Sequence, residues 1–342
     1  MTSDMTALPP GSAIGILGSG QLGRMLALAA ARLGFKCHVY SDVAGPAFDV
    51  CDRHTVAPYD DEAALSDFAK SIAVATYEFE NIPVATVEFL DRTVPVRPGA
   101  KALACAQDRI NEKALARRLG AETAPFAPVG SRADLDRALH EIGTPAVLKT
   151  RRFGYDGKGQ AKILSLADAD AAWAAMRDQP SVLEGFVSFD REVSVIAARA
   201  LDGSFRAFEV TENEHRNHIL HRSVAPARLG AEAATEALET ARRIASALDY
   251  VGVFAIEYFA LTADGREHVY VNEMAPRVHN SGHWTMDGAE TSQFEQHIRA
   301  IAGWPLGDGS RHCDVTMENL IGDDLDRVPA LAAERGVAIH LY

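Results

Sequence analysis

Short β-branched runs alternate with helix patterns from Ala13 to about Gln107, and two later stretches gather strands into hairpins. These observations predict an α/β unit on a parallel sheet, joined to α+β units. In the first unit, residues 13–107, the strands are "AIGILG", "KCHVY", "IAVATY" and "VPVR", separated by stretches such as "QLGRMLALAAARLG" and "PVATVEFLDR". Residues 1–12 precede the first strand as a loose N-terminus, and residues 108–124 carry a helix from about Asp108 and a crossover. Residues 125–203 read as a half-domain: "FAPV", a helix, "AVLKT", a loop, "AKILS", a helix, "SVLEGFV" and "REVSVIAARA". Residues 204–342 hold "SFRAFEV", a helix over Glu232–Leu248, the strands "VGVFAIEYFAL" and "EHVYVNEMA", and a closing helix from about Thr291. No internal repeat or low-complexity run interrupts this order.

Of the 342 residues, 47% are apolar and 24% charged, an ordinary globular balance. The formal charge of −13 argues against general nucleic-acid binding, because a phosphate backbone would be repelled outside any local basic patch. Four scattered cysteines without a C-x-x-C pair fit a reducing, cytoplasmic compartment. The first residues lack a basic and apolar leader pattern, and no run of 18 apolar residues follows, so no membrane association is expected.

The chemistry-bearing motifs begin with "GILGSGQLGRML". Gly18, Gly20 and Gly23 stand between a strand and a helix, where free backbone N–H groups favour a phosphate. Asp42 follows the next strand, so by itself the motif suits a dinucleotide, another phosphorylated ligand, or merely tight strand–helix packing. Glu78, Glu80 and Asn81 in "TYEFENIP" end another strand of the same sheet and are expected to face the same crevice. In "RRFGYDGKGQ", Gly154, Gly157 and Gly159 lie among Arg151, Arg152 and Lys158 between two β-runs, a hairpin flap able to nest a polyphosphate. It is not a Walker loop. Lys149 ends the apolar strand before it, and a strand lysine is costly to bury without an anion.

Glu257 in "FAIEYFA" and Glu273 in "VYVNEMA" flank a turn at Asp264-Gly265 and should lie nearly opposite each other. Two facing carboxylates in apolar strands call for a cation, and magnesium bridged to ATP phosphates supplies one. After them Arg277, His279, Asn280 and His283 cluster among turn formers, and Arg277 suits a carboxylate or phosphate partner.

The ordered set "GILGSGQLGRML", "TYEFENIP", "QDRINEKAL", "RRFGYDGKGQ", "REVSV", "GVFAIEYF" and "NEMAPRVHNSGHWT" resembles the ATP-grasp ligases, and within them the 5-(carboxyamino)imidazole ribonucleotide synthetases of purine biosynthesis. The resemblance runs from Ala13 to the end. It implies an ATP-grasp fold with an N-terminal Rossmann-like (pre-ATP-grasp) domain, and ATP held between the middle and C-terminal domains. Nucleotide contacts would come from Arg109, Lys149, Gly154, Tyr155, Asp156, Gly157, Lys158, Gly159, Gln160, Glu184, Gly185, Phe186, Val187, Glu192, His215, Asn272 and Glu273. Glu184 and Phe186 would pair with the adenine through their backbone groups, and Glu192 would hold the ribose. Glu257 and Glu273 would ligate magnesium, with manganese as a substitute.

By the same resemblance Gly20, Gln21 and Leu22 would receive a phosphoribosyl substrate, making the opening motif a monophosphate site. Glu78 and Asn81 would approach its aminoimidazole end, and Asn280 would contact it too. Tyr155, Asp156, Lys158, Arg277 and His279 would grip bicarbonate and orient the amine. The implied reaction is bicarbonate attack on the γ-phosphate of ATP and capture of the resulting carboxyphosphate by 5-aminoimidazole ribonucleotide, in a homodimer. Relatives usually continue past a strand like "AIHLY" into a glycine- and arginine-rich stretch with a phosphate-reaching lysine. These 342 residues end at Tyr342 without that stretch, which leaves two expectations: the sequence is truncated, or part of the cationic clamp is missing and full activity with it.

The competing readings are a formate-dependent glycinamide ribonucleotide formyltransferase of the same superfamily and a noncatalytic nucleotide-binding relative. A biotin carboxylase would carry Asn where Ala275 stands, and a nicotinamide oxidoreductase would leave Glu257 and Glu273 unexplained.

Overall fold

The computed structural model describes residues 7–152, 154 and 158–342. Four short strands build the first sheet: β1 (Ala13–Leu17), β2 (Lys36–Ser41), β3 (Arg53–Val56) and β4 (Val74–Tyr77), all parallel in the order β3-β2-β1-β4. Helices α1 (Gln21–Arg32), α2 (Glu62–Lys70) and α3 (Val84–Asp91) make the crossovers. The expected strand "VPVR" is reduced to an isolated bridge between Val96 and Ala75. Pro95 and Pro98 flank it and have no N–H to extend a ladder. Its place in the expectation is taken by β3, a polar edge strand without apolar alternation.

Helices α4 (Ala100–Ala106) and α5 (Arg109–Arg118) carry the chain onward, and the Asp108 side chain caps α5 by accepting from Ile110 N. The second sheet is antiparallel, β5-β8-β6-β7, from β5 (Phe126–Val129), β6 (Ala146–Thr150), β7 (Gln160–Ile163) and β8 (Ser181–Gly185). Helices α6 (Arg132–Ile142) and α7 (Ala169–Ala175) cover one face.

The third sheet has seven strands in the order β14-β13-β9-β11-β12-β15, with β10 (Phe205–Ala207) beside β9 (Arg191–Arg199). The run "REVSVIAARA", expected in the middle unit, is β9 and belongs to this large sheet, so the sheets divide before Arg191 and not at residue 203. Its apolar residues are buried on both faces, between α8 (Ala231–Ala247) on one side and α10 (Gln293–Ile301) on the other. The remaining strands are β11 (Thr211–Arg216), β12 (Ile219–Ala225), β13 (Gly252–Ala263), β14 (Arg266–Ala275) and β15 (Val315–Glu318), with short helices α9 (Thr285–Gly288) and α11 (Val328–Leu331) nearby in the chain. The β11–β12 hairpin turns on Asn217 and His218, both at positive φ. "AIHLY" is not a strand: its main chain joins no ladder, and it is held through side chains, His340 to Asp287 at 2.6 Å and the Tyr342 ring edge-on to His283. No described helix is long and apolar enough to cross a membrane.

One hydrophobic core joins the first and third sheets, with Ile14, Ile16 and Met25 packed in the same cluster as Val253, Phe294 and Ile298. His297 on α10 pins this junction. Its Nδ1 accepts from Val253 N at 3.0 Å and its Nε2 lies 2.8 Å from Thr76 Oγ1, the ring being fully buried. Burial lowers its pKa from 6.5 to about 3. The unfolded chain therefore binds the extra proton first, and stability present above pH 6.5 falls as pH drops from 6.5 toward 3. Urea unfolding at pH 7 and pH 5 is expected to show the native chain losing about 2 kcal/mol more than His297→Gln. Equal losses would place the acid sensitivity elsewhere.

Candidate active site

The three sheets meet around an open cleft of ≈ 860 Å³. Every described residue expected to contact nucleotide lines it: Arg109, Lys149, Gly154, Lys158, Gly159, Gln160, Glu184, Gly185, Phe186, Val187, Glu192, His215, Asn272 and Glu273. Gln21, Leu22, Glu257, Arg277, His279 and Asn280 line the same space. Tyr155, Asp156 and Gly157 lie outside the described residues.

The hairpin β13–β14 places the two carboxylates. Its two-residue turn, Asp264 at φ 51° and Gly265 at φ 76°, is the left-handed type that favours tight hairpins. Regular pairing from that turn would set Glu257 against Asn272. A bulge intervenes, since Tyr258 pairs with Val271 while Glu257 pairs with Glu273. The one extra residue, Asn272, turns both carboxylates onto the same face of the sheet. Burial and the facing Glu273 push the Glu257 pKa up. Burial would also raise Glu273, but Arg109, hydrogen-bonded to it at 2.9 Å, holds it below the ordinary carboxylate range. Glu257 meets His279 Nε2 at 3.2 Å, and burial together with Arg277 lowers His279 to about 3, so that ring is neutral.

Among the described residues no Lys or Arg pairs directly with Glu257, and the chemistry of the donor set fits a divalent cation. The buried Asn272 Oδ1 and Asn280 Oδ1 also have no hydrogen-bond partner among the described residues. No group of three or more His, Cys, Asp or Glu side chains converges there among the described residues. A cation held here would complete its shell with phosphate or water oxygens.

Lys149, next to last in β6, donates to Glu184 Oε2 at 2.9 Å, and Lys113 Nζ approaches Glu184 Oε1 at 3.3 Å. Burial would raise Glu184, yet the two lysines hold it at about 2. Lys113 also donates to Asn272 O at 2.9 Å, which ties α5 to the bulge. Neither Lys113 nor its neighbour Glu112, which accepts from Met274 N, carries a local sequence signal of a site. Both sit in the polar first half of α5, and packing against β14 and the Glu184 carboxylate of β8 buries them. The adenine expectation needs one correction: Phe186 N donates to Pro145 O at 3.0 Å and is not free to meet a base. Phe189 and Phe259 stack 4.6 Å apart at the same end of the cleft. Glu192 is paired with His215.

At the other end stands the N-terminus of α1. Its anion is already supplied, because Glu78 accepts from Gly20 N and from Gly23 N, the latter at 2.6 Å. A Cβ on Gly18, at φ 105°, would fall 2.4 Å from Glu78 Cγ, and one on Gly20 would fall 2.8 Å from its Oε1. The glycines thus make room for a carboxylate crossing from β4. Glu78 is 6% exposed and does not line the cleft, and Asn81 is exposed outside it. Of this motif Glu80 lines the cleft, paired with Arg277. Gln160, which begins β7 after the glycine-rich run, has its Nε2 3.4 Å from His218 Nδ1 on the β11–β12 turn.

Comparison with known proteins places this geometry. Residues 12–107 match the ribonucleotide synthetase preATP-grasp domain, and residues 114–294 match the ATP-grasp domain. An N5-carboxyaminoimidazole ribonucleotide synthase of Brucella melitensis is 50% identical over 342 residues, covering 99% of this chain and 94% of that protein. The crystal structure of an ADP complex of an N5-carboxyaminoimidazole ribonucleotide synthetase superposes with a TM-score of 0.91 at 42% identity, covering 96% of this chain and 88% of that one. The synthase of Aspergillus clavatus with ADP and 5-aminoimidazole ribonucleotide gives 0.86 at 28% identity, covering 94% and 87%. With the two carboxylates, the strand lysine and the glycine-rich flap around one cleft, and with this likeness across both domains, the chain belongs to the N5-carboxyaminoimidazole ribonucleotide synthase family of ATP-grasp enzymes.

Proposed function

We propose that this chain carboxylates 5-aminoimidazole ribonucleotide with bicarbonate at the expense of ATP, giving N5-carboxyaminoimidazole ribonucleotide, ADP and phosphate. The observation that carries this reading is the continuity of the cleft from Gln21 and Leu22, through Arg277 and His279, to the Glu257–Glu273 pair and Lys149. A bicarbonate oxygen attacks the γ-phosphorus and ADP departs; the ribonucleotide amine then attacks the carboxyl carbon and phosphate departs.

Glu257 and Glu273 would hold magnesium, which supplies positive charge among the phosphate oxygens when bound. Lys149, Arg109 and the flap from Gly154 to Gln160 bind the triphosphate, and Phe189 and Phe259 border the base. Asn272 and Glu184 to Val187 complete the nucleotide wall, with Glu192 and His215 at the ribose. Arg277, held by Glu80, orients the small anion, and neutral His279 offers a hydrogen bond without adding charge. Asn280 has an unspent amide oxygen for the amine side. Gln21 and Leu22, rather than Gly20, whose N–H is spent on Glu78, take the phosphoribosyl group. Carboxyphosphate hydrolyses in water, so closure of the flap excludes solvent. We extend this reading to a cytoplasmic homodimer.

Phosphate release from ATP, with magnesium and bicarbonate, is expected to depend on 5-aminoimidazole ribonucleotide. Release stimulated instead by formate and glycinamide ribonucleotide would replace the substrate assignment.

A further inference from the structure

The sheet face that carries Glu257 continues as a row of buried hydroxyl and amide side chains. Ser194 on β9 is the register partner of Glu257, and Asn213 on β11 is the partner of Ser223 on β12. Ser194, Ser223 and Ser281 are 0% exposed and Asn213 is 7% exposed. Their hydrogen bonds form one chain. Ser223 Oγ lies 2.8 Å from Asn213 Oδ1, Asn213 Nδ2 lies 3.0 Å from Ser194 Oγ, and Ser194 Oγ lies 2.8 Å from Ser281 Oγ. Ser281 Oγ lies 2.8 Å from His279 Nδ1.

The direction of the chain follows from which atoms can donate. An amide oxygen only accepts, so Ser223 donates to Asn213. An amide nitrogen only donates, so Ser194 accepts from Asn213 and turns its own proton toward Ser281. Ser281 accepts that proton's bond and donates its own to His279 Nδ1. Turning the Asn213 amide over would run the chain backwards and put the ring proton on Nδ1. The backbone selects between the two, because Ser281 N also points at Nδ1; at 3.3 Å this long contact only biases the ring, and the 2.8 Å bond from Ser281 Oγ is what holds it. The proton then sits on Nε2, 3.2 Å from Glu257 Oε1.

We propose that Ser281, Ser194, Asn213 and Ser223 are positioning residues that act through His279, holding it as the Nε2–H tautomer aimed at the Glu257 carboxylate. Apolar side chains at 194, 213 and 223 would fill this face without the desolvation cost of burying hydroxyl and amide groups. The polar row instead delivers one defined result, a donor of fixed direction beside the carboxylate pair. Its consequence for turnover rests on the carboxylation reading above; the tautomer itself does not.

The test uses the full chain labelled with 15N-histidine, without nucleotide, and a long-range 1H–15N spectrum in which His279→Gln identifies the His279 signals. The wild-type ring is expected to be neutral with its proton on Nε2. Ser281→Ala and Ser194→Ala are expected to show both tautomers, with the signals of the other eleven of the 12 histidines in place, and Ser281→Thr to restore one. In the carboxylation assay kcat falls about 10–100-fold in both alanine variants and returns in Ser281→Thr. The KM for ATP stays within about twofold.

A wild-type ring protonated on Nδ1 overturns the proposal, as does retention of the single Nε2–H form in both alanine variants. Should Ser281→Ala not fold, Ser194→Ala, one step further from the ring, decides. A wild-type chain without carboxylation activity removes the reading of function and leaves the tautomer result standing.

Discussion

Glu257→Gln is expected to lower carboxylation turnover by about 10²–10³-fold and to stabilise the nucleotide-free chain by about 1 kcal/mol. The two effects share one cause. Glu257 is buried opposite Glu273 with no Lys or Arg in ion-pair contact among the described residues, so burial and then the facing carboxylate raise its pKa. Glutamine keeps the shape and removes the charge, which relieves the repulsion when the cleft is empty. With ATP bound, the charge is what the cation and phosphates require, and its loss leaves the transferring phosphoryl group poorly neutralised. Steady-state kinetics and urea unfolding of the same variant measure both sides. A Gln variant less stable than the native chain would mean that His279, at 3.2 Å, already compensates Glu257.

Lys113→Met is expected to destabilise the chain by about 3 kcal/mol, in the manner of a buried ion pair that loses one partner. The Lys113 side chain is 1% exposed and holds three things together: the α5 helix, the Glu184 carboxylate and the Asn272 carbonyl at the bulge. Methionine fills the volume but leaves the carbonyl without its donor and Glu184 with Lys149 alone. Because the bulge sets Glu257 opposite Glu273, the variant is also expected to raise the magnesium concentration needed for half-maximal activity. Thermal and urea unfolding, followed by a magnesium titration of activity, check the two parts. An unchanged midpoint in urea would mean that Lys149 alone suffices for Glu184.

The parts legible in the sequence are those written in local patterns. The strand–glycine–helix opening, the apolar carboxylate-bearing strands, the Asp264-Gly265 turn and the strand lysine each announce themselves within a dozen residues. They led to the parallel sheet, the hairpin and the facing glutamates found in the structure. The β11–β12 hairpin was not legible. Its buried face carries Thr211, Asn213 and Ser223 where a strand would ordinarily show apolar alternation, so it reads as a polar connection. The same polar face is the row that reaches His279, so the strands hardest to see carry the inferred positioning network.

Local chemistry in the sequence thus determined which residue types could bind phosphate, metal and base, and in what chain order they come. Which of them face the cleft was decided only by tertiary packing. Glu78 was a free carboxylate at a strand end until folding brought it onto the α1 N-terminus, where three glycines leave it room. Lys113 was one lysine in a charged helix until β14 closed over it. Asn272 became the bulge because α5 supplies a donor for its carbonyl. Each of these outcomes depends on a hydrogen-bond partner more than 50 residues away, and a buried polar group must find such a partner wherever the fold places it.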